Sequence, residues 1–322
     1  MNPLYRLTLR SLRKLHRIAN PDAGNFGRNW KLFPVKQYAS DLIADALLSP
    51  DPVMIARIGS NEALCVSNYL GVTQPAKYKN VRGFIRNQTP PWWWEPGIKD
   101  NLRDVAGFFP TTEEMLSRFS ELMLADLQQV DILGSWLKDE LFFKEQLAGV
   151  KRVMLEDLEP FFVERPWTRA LQGKKVLVVH PFEETIRQQY GRRNKLFDNG
   201  LLPDFELLTV KAALTLAGER SKYNNWFEAL EQMKTQIAAQ EYDICILGCG
   251  AYGLPLAAFV KSCGKKAIHL GGVTQLLFGI KGRRWENYIV YPYENLYNDY
   301  WVRPGSAEKP RNAQVVEGAC YW

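Results

Sequence analysis

Four short apolar runs, each stopping abruptly at glycine or a polar residue, constrain the fold of this chain more than any other feature. PVMIARIGSNEALCVSNYLG, residues 52–71, reads as strand, glycine turn and helix. KKVLVVHPF, YDICILGCG and KKAIHLGG read as strands running into turns, with FELLTVKAA a further strand. EETIRQQYGRRNKLF, WFEALEQMKTQIAAQ and LPLAAFVKSCG supply the helices between them. Parallel strands need a crossover, and the crossover helix covers the sheet it spans. The expected fold class is therefore α/β: a Rossmann-like, mostly parallel sheet with helices on both faces.

The rest of the chain is less regular. GNFGRNWKLFPVKQ reads as a loop, YASDLIADALLS and EEMLSRFSELMLADLQQ as helices, VDILGSWL as a short strand and turn, and LKDELFFKEQL as a helix. The stretch 75–112, with NQTPPWWWEPG, has no clear period. Trp92, Trp93 and Trp94 within it suit sugar stacking or a membrane interface, but most tryptophans fill cores. Three units are expected: an N-terminal helical segment 1–48, an α/β domain 49–302 and an irregular tail 303–322.

LGCGAYG places Gly248, Gly250 and Gly253 in a G-x-G-x-x-G pattern between strand and helix. A dinucleotide fold carries this turn on its first strand and an acid about 20 residues later for the ribose hydroxyls. Here the strand is a late one, and no Asp or Glu occurs between Asp243 and Glu286. Lys265 and Lys266 open the following strand, at the wrong end for a ligand, so NAD is not expected. What remains is mechanical: glycines admit a phosphate to the backbone, and the next helix aims free N–H groups at it. A diphosphate fits that turn; the alternative is that the glycines serve only close packing of strand against helix.

Other polar tips point to the same edge. Arg57 to Glu62 follow the first strand, His180 ends the second, and His269 with Gly271 and Gly272 ends the last. Ligands of open α/β sheets bind beyond these carboxyl ends. FGIKGRRW adds Lys281, Arg283 and Arg284, cations suited to a departing diphosphate. The acids Asp157 and Glu159 of MLEDLEPFF, a D-x-E with no glycine turn beside it, read as a solvated turn.

Composition excludes several classes. The 46% hydrophobic and 24% charged content is that of a globular protein, and no apolar run approaches the roughly 20 residues that span a bilayer. Five cysteines without C-x-x-C spacing indicate a reduced, cytoplasmic chain, and three scattered histidines make a zinc site unexpected. The net charge of +6 is modest, and no nucleic-acid partner is expected. Its distribution is uneven: the first 20 residues carry Arg6, Arg10, Arg13, Lys14 and Arg17 with no acid before Asp22. An amphipathic helix puts the arginines on one face and Leu4, Leu12, Leu15 and Ile18 largely on the other. It suits either an anionic membrane surface or docking on the domain with its basic face in water. Basic residues interrupt any signal-peptide core.

RIGSNE at 57–62 resembles the R-x-G-D-G-E segment of bacterial glycosyltransferases with the GT-D fold, and GCGAYGLPLAAFVKSCGKKAIHLGG resembles their late glycine turn, helix and terminal strand. HPFEETIRQQY and AIHLGGVTQLLFGIKGRRW resemble segments of proteins of bacterial capsule and lipopolysaccharide assembly. The resemblance covers roughly 50–290. It implies a nucleotide-sugar donor and a glycan or lipid-linked oligosaccharide acceptor; with the basic helix of residues 1–20, outside the resemblance, the expected place is the cytoplasm, at the inner face of the cytoplasmic membrane. Arg57 and Gly59 match the motif, Glu62 matches its final acid, and Ser60 stands where the metal-binding aspartate belongs. A Mn²⁺ or Mg²⁺ ion is thus implied with one carboxylate, Glu62, in place of two. Taken together, the motif match and the polar strand tips give Arg57 and Glu62 the catalytic roles, and the donor to Gly59, Ser60, Asn61, His180, Gly248, Gly250, Tyr252, Gly253, His269, Gly271, Gly272, Lys281 and Arg284. Alternatives are an NAD(P)-dependent sugar oxidoreductase and a non-catalytic sugar-nucleotide-binding subunit of a polysaccharide assembly complex.

Overall fold

The structure is a computed structural model and describes residues 2–20, 35–215, 222–286, 288, 291–310, 313–315 and 318–322. Seven strands form one sheet: β1 (Val53–Ala56), β2 (Ile132–Ser135), β3 (Lys151–Met154), β4 (Lys175–His180), β5 (Glu206–Lys211), β6 (Ile244–Leu247) and β7 (Lys266–His269). Their order is β3-β2-β1-β7-β6-β4-β5 and every pairing is parallel. The fold is thus α/β and Rossmann-like, as the alternation of strands and helices predicts.

The helices are α1 (Pro3–Ala19), α2 (Gln37–Leu48), α3 (Ser60–Thr73), α4 (Pro75–Tyr78), α5 (Val81–Ile85), α6 (Pro96–Asp104), α7 (Glu113–Leu127), α8 (Glu183–Tyr190), α9 (Trp226–Ala238), α10 (Gly253–Ser262) and α11 (Thr274–Leu277). Period-2 alternation divides the strand side chains between two cores. Met54, Leu177, Val179 and Leu247 join α3, α6, α7, α9 and α10 on one face. Val53, Val176, Val178 and Ile246 join α2, α8 and α11 on the other. Burial on both faces is why these strands read as continuous apolar runs.

The connections fix where a ligand can sit. β4 passes through α8 to β5 on one side, whereas β6 passes through α10 to β7 on the other. The chain therefore leaves two neighbouring strands in opposite directions, opening a crevice between the carboxyl ends of β4 and β6.

Three local expectations are corrected. LKDELFFKEQL makes a 3-10 turn, Lys138–Phe143, in place of a helix, because the Glu140 carboxylate folds back to accept the Trp136 and Leu137 N–H groups at 2.9 Å each. The helix at 183 stops at Tyr190, next to Gly191, and only a short turn, Arg193–Lys195, continues toward Phe197. The Asp157 and Glu159 turn is not solvated: it follows β3, and Asp157 is buried. The loop expected at 24–37 lies almost wholly outside the described residues.

The tail is irregular yet tightly held. Ala313, Ala319, Cys320 and Trp322 belong to the second core. The buried Glu308 carboxylate accepts the Glu184 N–H at 3.0 Å and the Thr185 hydroxyl, capping the first turn of α8. Trp93 is buried against Phe84 and Leu9, with Trp92 edge-on to Phe84 and Trp93. These two indoles fill a small core beneath α1.

Candidate functional site

A cavity opens at the carboxyl edge of the sheet and gathers most of the polar tips that the sequence marks. Arg57, Gly59, Ser60, Asn61 and Glu62 line it from the end of β1 and the first turn of α3. His180 lines it from β4, and Gly248, Gly250 and Tyr252 from the turn after β6. His269, Gly271 and Gly272 complete it from β7, with Arg284 from the segment that follows.

Three expected residues, Lys281, Gly253 and Arg283, are not part of the lining. Lys281 is turned away: its N–H bonds the Val302 carbonyl at 2.7 Å, and its ammonium lies 5.4 Å from the Tyr297 ring centre. Gly253 lies behind the cavity, pressed against a histidine. A Cβ built there would fall inside the His269 imidazole, and one at Gly248 would come within 2.5 Å of His180 Cδ2 and 2.7 Å of Thr274. These two glycines are packing residues. Gly250 differs: its φ is +58° and a Cβ there would meet nothing within 4 Å, so it leaves the backbone open to the cavity.

Several groups at this edge favour an anion. The first N–H groups of α3, at Ser60 and Asn61, have no intrahelical acceptors and face the cavity with the positive dipole end of that helix, whereas α10 continues from the 3-10 turn Gly250–Tyr252, with the Gly253 N–H taken by the Gly250 carbonyl. Arg57 lies 5.2 Å from the Trp136 ring centre and donates from Nη2 to the Ile58 carbonyl at 3.2 Å. Among the described residues its buried Nε has no hydrogen-bond partner. Burial pulls the Arg57 pKa down, with Glu62 acting against the shift. Burial pushes the Glu62 carboxyl up, and Arg57 restrains it. Glu62 sits over Gly59, where a Cβ would strike its carboxylate.

Both histidines are neutral. Burial holds each down to about 3, Arg57 adding to the effect at His269. His180 Nδ1 accepts the Phe182 N–H at 3.0 Å, which leaves the proton on Nε2. His269 Nδ1 lies 3.1 Å from the Leu247 carbonyl, so its proton is on Nδ1 and Nε2 is an acceptor. A folded pKa below the unfolded 6.5 means that the unfolded chain binds more protons between about pH 3 and 6.5. The stability contributed by neutral burial is present above pH 6.5 and is lost as pH falls, by about 2 kcal/mol per histidine at pH 5. Urea unfolding of wild type and His180→Asn should therefore show the gap between them narrowing by about that amount from pH 7 to pH 5. A gap independent of pH would mean that His180 is solvated.

Residues that the sequence reading missed also contribute. Gln275 lines the cavity, and its Nε2 lies 3.1–3.2 Å from the carbonyls of Ile280, Lys281 and Tyr321. That orientation leaves Oε1 with no hydrogen-bond partner among the described residues. Tyr321 and Trp322 form one wall, with the Arg284 guanidinium 4.7 Å from the Tyr321 ring centre. No local signal in the tail could have placed them there. Tyr252, expected to reach the ligand, stacks on Trp226 at 4.7 Å, and its hydroxyl pairs with Thr215 at 3.1 Å. Glu159 lies outside the cavity but in the field of Arg57; burial pushes it up to about 8, against the hydrogen bond it accepts from the Tyr293 hydroxyl.

The donors do not fit a cation held by the protein itself. Among the described residues no three His, Cys, Asp or Glu side chains come together to hold a metal ion, and Glu62, the carboxylate of the lining, shares it with Arg57 and Arg284. The chain matches no protein-family model, no curated protein and no solved structure.

Proposed function

We propose that the chain is a glycosyltransferase that moves a sugar from a nucleotide-sugar donor to a growing bacterial surface polysaccharide or lipid-linked acceptor at the inner face of the cytoplasmic membrane. One observation carries the reading. At the switch point of the sheet, the N-terminus of α3, the open turn at Gly250, the Arg57 Nε, which has no partner among the described residues, and Arg284 converge on one cavity. A diphosphate matches that arrangement of donors and positive charge. The sugar-transfer step comes from the resemblance of RIGSNE and the glycine turn to GT-D enzymes.

In this reading the acceptor hydroxyl attacks the anomeric carbon as its bond to the diphosphate oxygen breaks. Arg57 and Arg284 compensate the charge that grows on the leaving group. Glu62, whose proton affinity is raised by burial, takes the acceptor proton. The neutral His180 and His269 offer one ring donor and one ring acceptor to uncharged parts of the donor. The oxidoreductase reading has less support, because β7 ends in His269 where a dinucleotide site needs a ribose-binding acid.

The test is a thermal-shift screen against UDP-, GDP-, CMP- and dTDP-sugars and NAD(P), each with and without Mn²⁺. One nucleotide sugar should stabilise the protein by about 2.7 kcal/mol at 100 times its dissociation constant. Glu62→Gln should keep that shift and lose transfer. Stabilisation by NAD(P) alone would overturn the proposal, as would full transfer activity in Glu62→Gln for the role of Glu62.

A further inference from the structure

Helix α1 is docked the opposite way round from a surface helix of ordinary amphipathicity. Its inward face is the arginine face: Arg10 pairs with Glu95, Arg13 with Asn87, and the Arg13 guanidinium sits 4.5 Å from the Phe84 ring centre. Leu9 is the one α1 residue that is buried. The outward side carries Leu4, Leu7, Leu12, Leu15 and Ile18, which are 70, 58, 42, 62 and 67% exposed. Successive 100° steps place Leu7, Ile18, Leu4 and Leu15 within one quadrant of the helix, with Leu12 beside them.

This cluster stands out from the rest of the surface. Elsewhere among the described residues no helix or strand carries more than two exposed large hydrophobics, Tyr38 and Leu48 at opposite ends of α2 being the pair, which is ordinary for a globular protein. An apolar stripe left in water costs free energy that a soluble partner or a lipid phase would recover. The charges beside it decide between the two. Lys14 and Arg17 are exposed on α1 itself. No acidic residue interrupts α1.

We infer that α1 is a lipid-binding helix that lies flat on an anionic bilayer, with Leu4, Leu7, Leu15 and Ile18 entering the headgroup boundary and Lys14 and Arg17 meeting the phosphates. An apolar face rimmed by cations is the chemistry of such interfacial helices, and each lysine or arginine near an anionic surface contributes about 1 kcal/mol, or roughly fivefold in affinity. The insertion runs through the apolar face. The arginines at 10 and 13 are already spent inside the protein. This inference stands on α1 alone and is independent of what the cavity binds.

The experiment is co-sedimentation of the full chain with vesicles of 30% phosphatidylserine in phosphatidylcholine and with pure phosphatidylcholine, together with solution mass by light scattering. Wild type should bind the anionic vesicles at least tenfold more tightly than the neutral ones. Leu7→Ser/Leu15→Ser should lose at least tenfold of that binding, and Lys14→Glu/Arg17→Glu should lose a similar factor. All variants should keep the wild-type melting temperature within a few degrees, because every substituted side chain is exposed. Equal binding of wild type and the leucine variant would overturn the inference. So would a dimer that the leucine substitutions convert to monomer without any vesicle binding, since a second copy would then be what covers the stripe.

Discussion

Gly253→Ala should cost about 3 kcal/mol of stability, whereas Gly250→Ala should cost about 1 kcal/mol and strike ligand binding instead. The two positions lie in one short turn, and the difference comes from what faces each missing Cβ. At Gly253 the space belongs to the His269 ring. That ring cannot retreat, because it is 4% exposed and its Nδ1–H is tied to the Leu247 carbonyl. Relief would require breaking the bond or shifting the start of α10. At Gly250 the added methyl meets open space at the cavity, so its penalty is the left-handed backbone alone. Urea denaturation read beside the ligand-induced thermal shift separates the effects. Unchanged ligand binding in Gly250→Ala would place the anion elsewhere.

The second large effect is at Arg57. Arg57→Met should weaken nucleotide binding by about a hundredfold, equivalent to about 2.7 kcal/mol, while the urea midpoint of the empty protein stays level or rises. Burial disfavours the Arg57 charge, and among the described residues its Nε has no hydrogen-bond partner, so a packed apolar side chain removes a desolvation cost. The neighbours of Arg57 include an aromatic ring and a single backbone carbonyl. Glu62 accepts a proton readily once the guanidinium is removed, so no bare charge is left behind. Isothermal titration and urea unfolding of the same preparation test both halves. A loss of stability above about 2 kcal/mol with unchanged affinity would make Arg57 a strut between β1 and Trp136.

Most of the sheet and the cavity edge were legible because their signals are local; the edge strand β3, whose KRVM buries only Val153, was not. VLVV before His180 and ICIL before Gly248 state both their burial and their ends within a few residues. The polar tips then follow from parallel topology, which brings all carboxyl ends to one side. What a strand tip does is less local. Lys281 lies three residues from Arg284, yet the Ile280–Val302 bridge pulls it out of the lining. Glu159 looks like a surface acid until Tyr293, far along the chain, covers it. An amphipathic pattern likewise announces a helix at Pro3–Ala19 without saying which face docks, and Glu95, Asn87 and Phe84 made that choice.

The position of β7 bears on how such a chain comes off the ribosome. β1-β2-β3 and β6-β4-β5 each pair among themselves, and β7, the last of the seven to be synthesised, is the ladder that joins them. Before Lys266 emerges, the nascent chain can hold two half-sheets with β1 and β6 as open parallel edges, a state prone to edge-to-edge association and slow to resolve. Arg57 and Gly248 belong to different halves. A ligand that touches both halves would therefore gather its full set of contacts only after the final strand has joined them.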